Sequence, residues 1–138
     1  MADVSARVRW TGEGMQFVAG ADGKPRMILD GEGGIAPSPV ATLLLSLGAC
    51  TAADIVDVTR KMRVVLGGLE LLLEGDRAPE PPRRFTRIRI IYRVTGVAET
   101  DRDKVKRALD LSHDKYCSVL HTLRTDTEIG TDLEFVDV

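Results

Sequence analysis

The sequence predicts an α+β fold in a single domain that spans residues 1–138. Short strand-like segments and one long helical segment fill the first half, and further strands, a helical region and a last strand follow. Strands and helices are therefore grouped, as in α+β folds, and do not alternate. The chain is 43% hydrophobic and 29% charged, which is typical of a soluble globular domain, and it is long enough to bury a core.

Three short strands are expected at the start of the chain, over Arg7–Thr11, Met15–Ala19 and Arg26–Asp30. Each run is short and followed by glycines that permit tight turns. The glycine- and proline-rich segment GEGGIAPSP then indicates a loop that leads into the long helix.

The long helix is predicted from Pro39 to about Met62. Ser38 suits the N-cap position and Pro39 the first helical position. The first half of the helix is apolar or small almost all the way round, a pattern typical of a helix buried on every side. In a chain this short, we expect a second subunit to supply the missing cover.

The second half begins with two strands, Val64–Glu74 and Arg84–Val94, joined by the segment APEPP. The second strand alternates apolar residues with arginines, which predicts a half-buried strand with a basic outer face. That face is interpreted as solvated, with an anion site as the alternative. A capped amphipathic helix beginning near Thr100, a short helix beginning near Cys117 and a strand over Thr127–Val136 complete the chain.

Several classes of function are disfavoured by composition. The formal net charge is −2, aromatic residues make up 4%, and there is no basic run, so nucleic acid is not an expected partner. The longest apolar stretch, Val40–Ala53, is interrupted by polar residues and ends at Asp54, which argues against a membrane span. The first ten residues lack the apolar core of a signal peptide, so a cytoplasmic location is expected. In a reducing cytosol, two cysteines favour a transient catalytic disulfide over a structural one, although two buried free thiols fit equally well.

The segment SHDKYCSVLH holds three of the four cysteine and histidine residues of the chain. His113, Cys117 and His121 are spaced by four, which on a continuous helix places them on one face. Such a face could bind a metal or pair a nucleophilic cysteine with a histidine. Both interpretations are disfavoured, because the segment resembles a junction between helices and offers no partner to orient the imidazoles. We therefore expect no metal site.

Cys50 lies on a stripe of small or polar residues in the long helix, with Asp54 one turn further on. A carboxylate is costly to bury unless a cation pairs with it, and alone it would raise the pKa of the thiol. An arginine held between the two would instead favour the thiolate. Cys117 would gain similar support from free N–H groups if it lies at a helix start. An inert core thiol is the alternative for Cys50.

Two segments carry a resemblance to a known family. APSPVATLLLSLGACTAADIVDVTRKM resembles the helix segment of the OsmC/Ohr family, and LSHDKYCSVLHTL resembles its second cysteine segment, in the OsmC-like branch. Element order and spacing agree along essentially the whole chain. The resemblance implies an intertwined homodimer whose long central helix is buried at the dimer core and wrapped by antiparallel or mixed sheets.

The resemblance also implies a thiol-dependent peroxidase for hydroperoxides, organic ones especially. Cys50 would attack the peroxide and become a sulfenic acid, and Cys117 would condense with it to a disulfide. An external dithiol, such as a lipoyl or thioredoxin-like protein, would then reduce that disulfide, and no cofactor is needed. The expected substrate cleft is formed by Leu43, Ser46 and Leu47.

One departure from the family pattern concerns the activation of Cys50. Family members carry a glutamate one or two residues after the proline that opens the helix, where this chain has Val40 and Ala41. That glutamate steers an arginine onto the cysteine. Arg26 is the expected arginine here, and Asp54 is the expected replacement for the glutamate, with His113 as a supporting group.

Further candidates and alternatives stay open. Arg7 and Arg9 stand behind Arg26 as the activating cation. A different class of function is a non-enzymatic protein of the same fold that binds a small hydrophobic molecule and leaves its thiols idle. A third interpretation makes both cysteines ordinary core residues.

Overall fold

A computed structural model describes residues 2–137 and contains two compact units, Met1–Leu43 and Leu44–Val138. The predicted α+β fold is confirmed. In chain order, the elements are β1 (Ala6–Trp10), β2 (Gln16–Ala21), β3 (Met27–Asp30), α1 (Pro39–Lys61), β4 (Gly68–Arg77), β5 (Phe85–Thr95), α2 (Arg102–Leu111), α3 (Ser118–Thr122) and β6 (Glu128–Val136).

The first unit is built on an antiparallel sheet in the order β1-β2-β3. All three predicted strands are confirmed, with boundaries that shift by one or two residues. Asp30 ends β3 and organises the loop that follows, because its carboxylate accepts hydrogen bonds from the backbone N–H groups of Glu32, Gly34 and Ile35 at 2.9–3.1 Å. These donors, with Glu32 first, hold the pKa of Asp30 below its usual value.

The start of α1 follows the predicted chemistry. Ser38 Oγ accepts a hydrogen bond from the backbone N–H of Ala41 at 3.1 Å, which satisfies one of the free donors in the first turn. Pro39 occupies the first helical position.

The second unit contains a mixed sheet in the order β4-β5-β6. β4 and β5 form an antiparallel pair, whereas β5 and β6 run parallel. Parallel neighbours require a crossover connection, and α2 and α3 supply it. This crossover carries Cys117.

The core of the second unit lies where α1, α2 and the start of α3 meet the inner side of the sheet. Its fully buried members come from all of these elements: Leu47, Ile55, Ile88, Ile90, Tyr92, Leu109 and Cys117. Gly48 allows α1 to approach β4 closely, because a Cβ at this position would lie 2.6 Å from Leu73 Cδ1. The helix that bears Cys50 is thereby set directly against the sheet.

The basic outer face of β5 is solvated, as predicted, and two of its three arginines form ion pairs. Arg89 forms ion pairs with Glu74 and Asp132, and Arg93 pairs with Glu134. These carboxylates neutralise the face, which argues against the alternative of an anion site.

Both predicted bounds of β4 were wrong, since the strand also continues past Glu74 to Arg77. The strand expected from Val64 begins only at Gly68, because the chain first makes a turn in which Arg63 adopts a positive φ of 61°. Val64 is nevertheless buried, in a small cluster with Val94 and Val105. Its apolar character reflects packing beneath a turn, and sequence alone could not separate that from a strand.

Helix α1 retains exposed apolar side chains within the single chain. Leu45 is 54% exposed and Val56 is 38% exposed. By length and composition the helix could also cross a membrane, although the core helix of a soluble protein meets the same criterion.

Candidate functional site

Helix α1 contributes three neighbouring polar side chains to the candidate site. Cys50 is half-buried, Thr51 is fully buried, and Asp54 lies one turn after Cys50. Since residues three and four apart share a helix face, Asp54 is beside both Cys50 and Thr51.

The crossover contributes the second thiol through a change in helix type. After α2 ends at Leu111, residues Ser112–Tyr116 form a π-helical turn, closed by a hydrogen bond of 2.8 Å from Cys117 N–H to the Ser112 carbonyl. Cys117 then adopts an extended conformation and caps α3. The helix is therefore interrupted at Cys117, as the predicted junction required, and π-turns of this kind are frequent at functional sites.

The two thiols and one carboxylate converge. The sulfur atoms of Cys50 and Cys117 and a carboxylate oxygen of Asp54 all lie within 4.8 Å of one another. Both cysteines are reduced. The fold thus brings together two cysteines that are 67 residues apart in the sequence.

The environment of Cys117 favours its protonated form. Burial is the main cause that raises the pKa of this thiol to about 11, and its hydrogen bond to Cys50 and the charge of Asp54 act in the same direction. The predicted helix-start donor exists, since Leu120 N–H donates to Cys117 Sγ at 3.4 Å and lowers the pKa. The effect of burial on the pKa is larger than that of this hydrogen bond. The Cys117 thiolate is therefore not stabilised overall, contrary to the expectation from sequence.

A buried chain of hydroxyl groups extends from Asp54 toward His113. Ser112 Oγ donates to Asp54 Oδ2 at 2.8 Å and lies 2.9 Å from Thr51 Oγ1. Thr51 Oγ1 is 3.0 Å from the Tyr92 hydroxyl, which is 2.7 Å from His113 Nε2. We call these five residues the hydroxyl chain. It connects α1, β5 and the π-helical turn.

The ionisable groups at the far end of the hydroxyl chain are uncharged at neutral pH. Burial raises the pKa of Tyr92 to about 12. Burial also lowers the pKa of His113, against the opposing charges of Asp114 and Asp110. His113 therefore reaches the site through Tyr92, whereas His121 bonds the His113 backbone carbonyl at 2.9 Å.

Within the second unit, Asp54 does not pair with an arginine, the partner that the sequence suggested. Over residues 44–137, no arginine or lysine forms an ion pair with it, and its carboxylate is bound by Ser112. Arg26 belongs to the first unit, where its side chain lies against Gly20. The roles of Arg26, Arg7 and Arg9 stay predictions.

The residues expected to form the substrate cleft differ in exposure. Leu43 and Ser46 are exposed, whereas Leu47 is fully buried in the core of the second unit. Asp54 also borders an open groove of about 490 Å³ whose walls include Val58 and Met62.

Among residues 2–137, one cluster of side chains could bind a metal ion, and it consists of Cys50, Asp54 and Cys117. Two sulfurs and one carboxylate are fewer than the four protein ligands of a closed structural zinc site. The predicted alternative of His113, Cys117 and His121 does not form such a cluster there, because the histidines bond Tyr92 and a backbone carbonyl.

Three residues of the hydroxyl chain were missed by sequence analysis: Thr51, Tyr92 and Ser112. Only Tyr92 gave a signal, since a tyrosine on the buried side of a strand needs a partner for its hydroxyl group. Thr51 and Ser112 are common residue types whose polarity is uninformative until the fold brings them together.

The fold and the paired thiols define the class of protein: a mixed α+β protein with a two-cysteine site between its long helix and a crossover. The model of the OsmC-like protein family matches residues 31–132. The chain therefore belongs to the OsmC-like family.

Relatives and solved structures agree with this assignment. Protein YhfA of Escherichia coli K12 is 37% identical over 134 residues, which cover 96% of this chain and 98% of YhfA. A hypothetical protein from Aquifex aeolicus VF5 superposes with a TM-score of 0.86 at 24% identity, over 100% of this chain and 99% of the other. An organic hydroperoxide resistance protein OsmC from Legionella pneumophila has a TM-score of 0.69 at 15% identity, over 97% and 98% of the two chains. The two structural likenesses establish the fold alone.

Proposed function

We propose that this protein is a cysteine-based peroxidase that reduces organic hydroperoxides. The observation that carries the proposal is the convergence of Cys50 and Cys117, whose sulfur atoms lie within 4.8 Å of each other. In the first step, the Cys50 thiolate attacks the peroxide, the O–O bond breaks, and the products are a Cys50 sulfenic acid and an alcohol.

The second step joins the two cysteines. The Cys117 sulfur attacks the sulfenic sulfur of Cys50, an S–S bond forms, and water leaves. The assignment of roles is supported by the difference between the thiols: Cys50 is half-buried, whereas Cys117 is fully buried and has a raised pKa. A peroxide reaches the half-buried Cys50 thiol first, and the protonated Cys117 lies beside Cys50 as a hydrogen-bond donor.

An external dithiol then regenerates the enzyme by thiol–disulfide exchange. A lipoyl or thioredoxin-like protein is the proposed reductant, and the protein needs no bound cofactor. Hydrogen peroxide is the proposed weaker substrate, since apolar side chains such as Leu43 favour alkyl groups.

A homodimer is part of the proposal. Support comes from α1, where Leu45 and Val56 stay exposed in one protomer although the helix is otherwise apolar. A second subunit that covers this helix would also enclose Cys50. Light scattering coupled to size exclusion is expected to give about twice the mass of the 15.1 kDa chain, and a monomer at micromolar concentration would contradict the dimer.

The activity is tested by turnover of cumene hydroperoxide and hydrogen peroxide with dithiothreitol or lipoamide. Wild type, Cys50→Ser and Cys117→Ser are compared side by side. We expect Cys50→Ser to be inert and Cys117→Ser to complete one oxidation and stop at a trappable sulfenic acid. First-turnover reactivity that is lost in Cys117→Ser and retained in Cys50→Ser would reverse the assignment. No consumption of either peroxide would instead favour the non-enzymatic binding protein.

A further inference from the structure

The proton positions in the hydroxyl chain follow from Asp54, the residue at one end of it. Asp54 as a carboxylate only accepts hydrogen bonds, so the single O–H group of Ser112 donates to Asp54 Oδ2. Thr51 must then donate to Ser112, and Tyr92 must donate to Thr51. His113 Nε2–H completes the chain as donor to Tyr92. All four donors point toward Asp54.

This arrangement fixes one oxygen of Asp54 and holds its carboxylate beside the thiols. Oδ2 is held by Ser112, which is fully buried and cannot turn to solvent. The carboxylate stands beside both sulfur atoms, within the same 4.8 Å. The titratable groups that interact with it are Cys50 on its own helix, Cys117 from the crossover and Tyr92 from β5, and Asp57, Lys61 and Tyr116 line the groove that it borders.

We propose that Asp54 is the general acid–base of disulfide formation and that the hydroxyl chain positions it for that step. This role rests on the proposed peroxidase function. The step has a proton to move: the Cys117 S–H bond must break, and the hydroxide that leaves Cys50 must become water. Asp54 accepts the proton from Cys117 as the S–S bond forms and delivers it to the departing oxygen as the S–O bond breaks.

The balance of the step is complete without a further reactant. Cys117 is oxidised, the sulfenic sulfur of Cys50 is reduced, and water carries away the proton and the oxygen. Without Asp54, the reaction has to wait for a preformed Cys117 thiolate. That species is rare at neutral pH, because the same burial that protects Cys117 keeps it protonated.

The experiment follows both oxidation steps after one equivalent of cumene hydroperoxide is mixed with reduced protein. Sulfenic acid is trapped with dimedone, and disulfide is measured by mass spectrometry under non-reducing conditions. Wild type is compared with Asp54→Asn and with Asp57→Asn. Asp57 is the matched control because it lies on the same helix and is engaged by Lys61 at the surface.

We expect Asp54→Asn to form the sulfenic acid and to convert it to disulfide at least about 100-fold more slowly, the low end of general acid–base effects. Its disulfide step should quicken about tenfold per pH unit between pH 6 and 9, because only the preformed thiolate reacts. The wild-type step should vary far less over that range, Asp54→Glu should recover part of the rate, and Asp57→Asn should match the wild type.

Different results overturn different conclusions. If the wild type forms neither sulfenic acid nor disulfide, the peroxidase proposal fails and the role of Asp54 fails with it. If the wild type forms its disulfide and Asp54→Asn forms it at the same rate, only the role of Asp54 is overturned. Should Asp54→Asn not fold, the wild type decides alone, since a tenfold rise per pH unit in its own disulfide step would overturn the role.

Discussion

The hydroxyl chain predicts a strong coupling between Thr51 and Tyr92 in the stability of the fold. Thr51→Val keeps the shape of a fully buried side chain but removes the group that accepts from Tyr92 and donates to Ser112. Two net hydrogen bonds are worth roughly 0.5–1.5 kcal/mol each, and an orphaned buried hydroxyl group costs about 1–3 kcal/mol. We therefore expect Thr51→Val to lower the free energy of unfolding by about 2–4 kcal/mol.

The coupling appears when Tyr92→Phe is added. Alone, this change should cost about 1–2 kcal/mol, because half-buried His113 can turn its N–H toward water. In the Thr51→Val background it removes the orphaned hydroxyl group, so the double variant should be no less stable than Thr51→Val by more than about 0.5 kcal/mol. The coupling energy is then about 0.5–2 kcal/mol, within the range of contacting pairs.

Urea unfolding at one fixed protein concentration measures the cycle, since oligomerisation would otherwise shift the values. Thr59→Val is the matched control: Thr59 is also fully buried in α1, but its hydroxyl group donates only to backbone carbonyls of the same helix. It lies eight residues further on, about 12 Å along the axis, so its effect should add to that of Tyr92→Phe. Additivity of Thr51→Val and Tyr92→Phe within 0.5 kcal/mol would refute the hydroxyl chain as a connected unit.

Three further predictions concern single sites. Because burial raises the pKa of Cys117 to about 11, only about one molecule in 10⁴ carries its thiolate at pH 7, so iodoacetamide should label Cys50 far faster than Cys117 in the native protein. Equal labelling rates of the two cysteines, measured by peptide mapping, would contradict this prediction. Unfolding in urea should abolish the difference. The lowered pKa of His113 means that the folded protein resists its protonation, so this contribution to stability is present above about pH 6.5 and is lost as pH falls below it. Unfolding curves at pH 7.5 and 5.5 should therefore show a smaller pH loss in His113→Gln than in wild type, and an equal loss would argue against it. Gly96→Ala should cost about 2 kcal/mol or more, because φ is +65° and a Cβ would lie 2.8 Å from Gly67 Cα, whereas Gly130→Ala, with open space around it, should shift the melting temperature little.

The sequence was most informative where local chemistry and periodicity agree. Ser38 and Pro39 marked the start of α1, and the alternation of β5 marked its buried face. The turn after α1 was misread because Val64 is apolar for a packing reason that a strand would share. Sheet order and the parallel pairing of β5 with β6 leave no local pattern, so they could not be derived from the residues.

The candidate site divides in the same way. Cys50 and Cys117 are the only cysteines of the chain and Asp54 follows Cys50 by one helical turn, so all three could be selected from sequence, and the structure brings them together. The contact of Asp54 with Ser112 could not be foreseen, since it joins positions 58 residues apart through the interior of the fold. The sequence suggested an arginine as the partner of Asp54, which stays a prediction, and it gave no signal for the Ser112 hydroxyl group.

The π-helical turn at Ser112–Tyr116 also determines how the chain tolerates insertions and deletions. A π-turn holds one residue more than an α-turn, so removing one residue from this turn would convert it to ordinary α-helix and leave the direction of the following chain nearly unchanged. Ser112 would stay where it is, at the end of α2, and the sheet would be unaffected. A one-residue deletion here would therefore keep the two thiols close, whereas one residue added to the α-helical geometry of α2 would turn Cys117 by about 100° and separate them, so the direction of a length change in this segment is informative about redox chemistry.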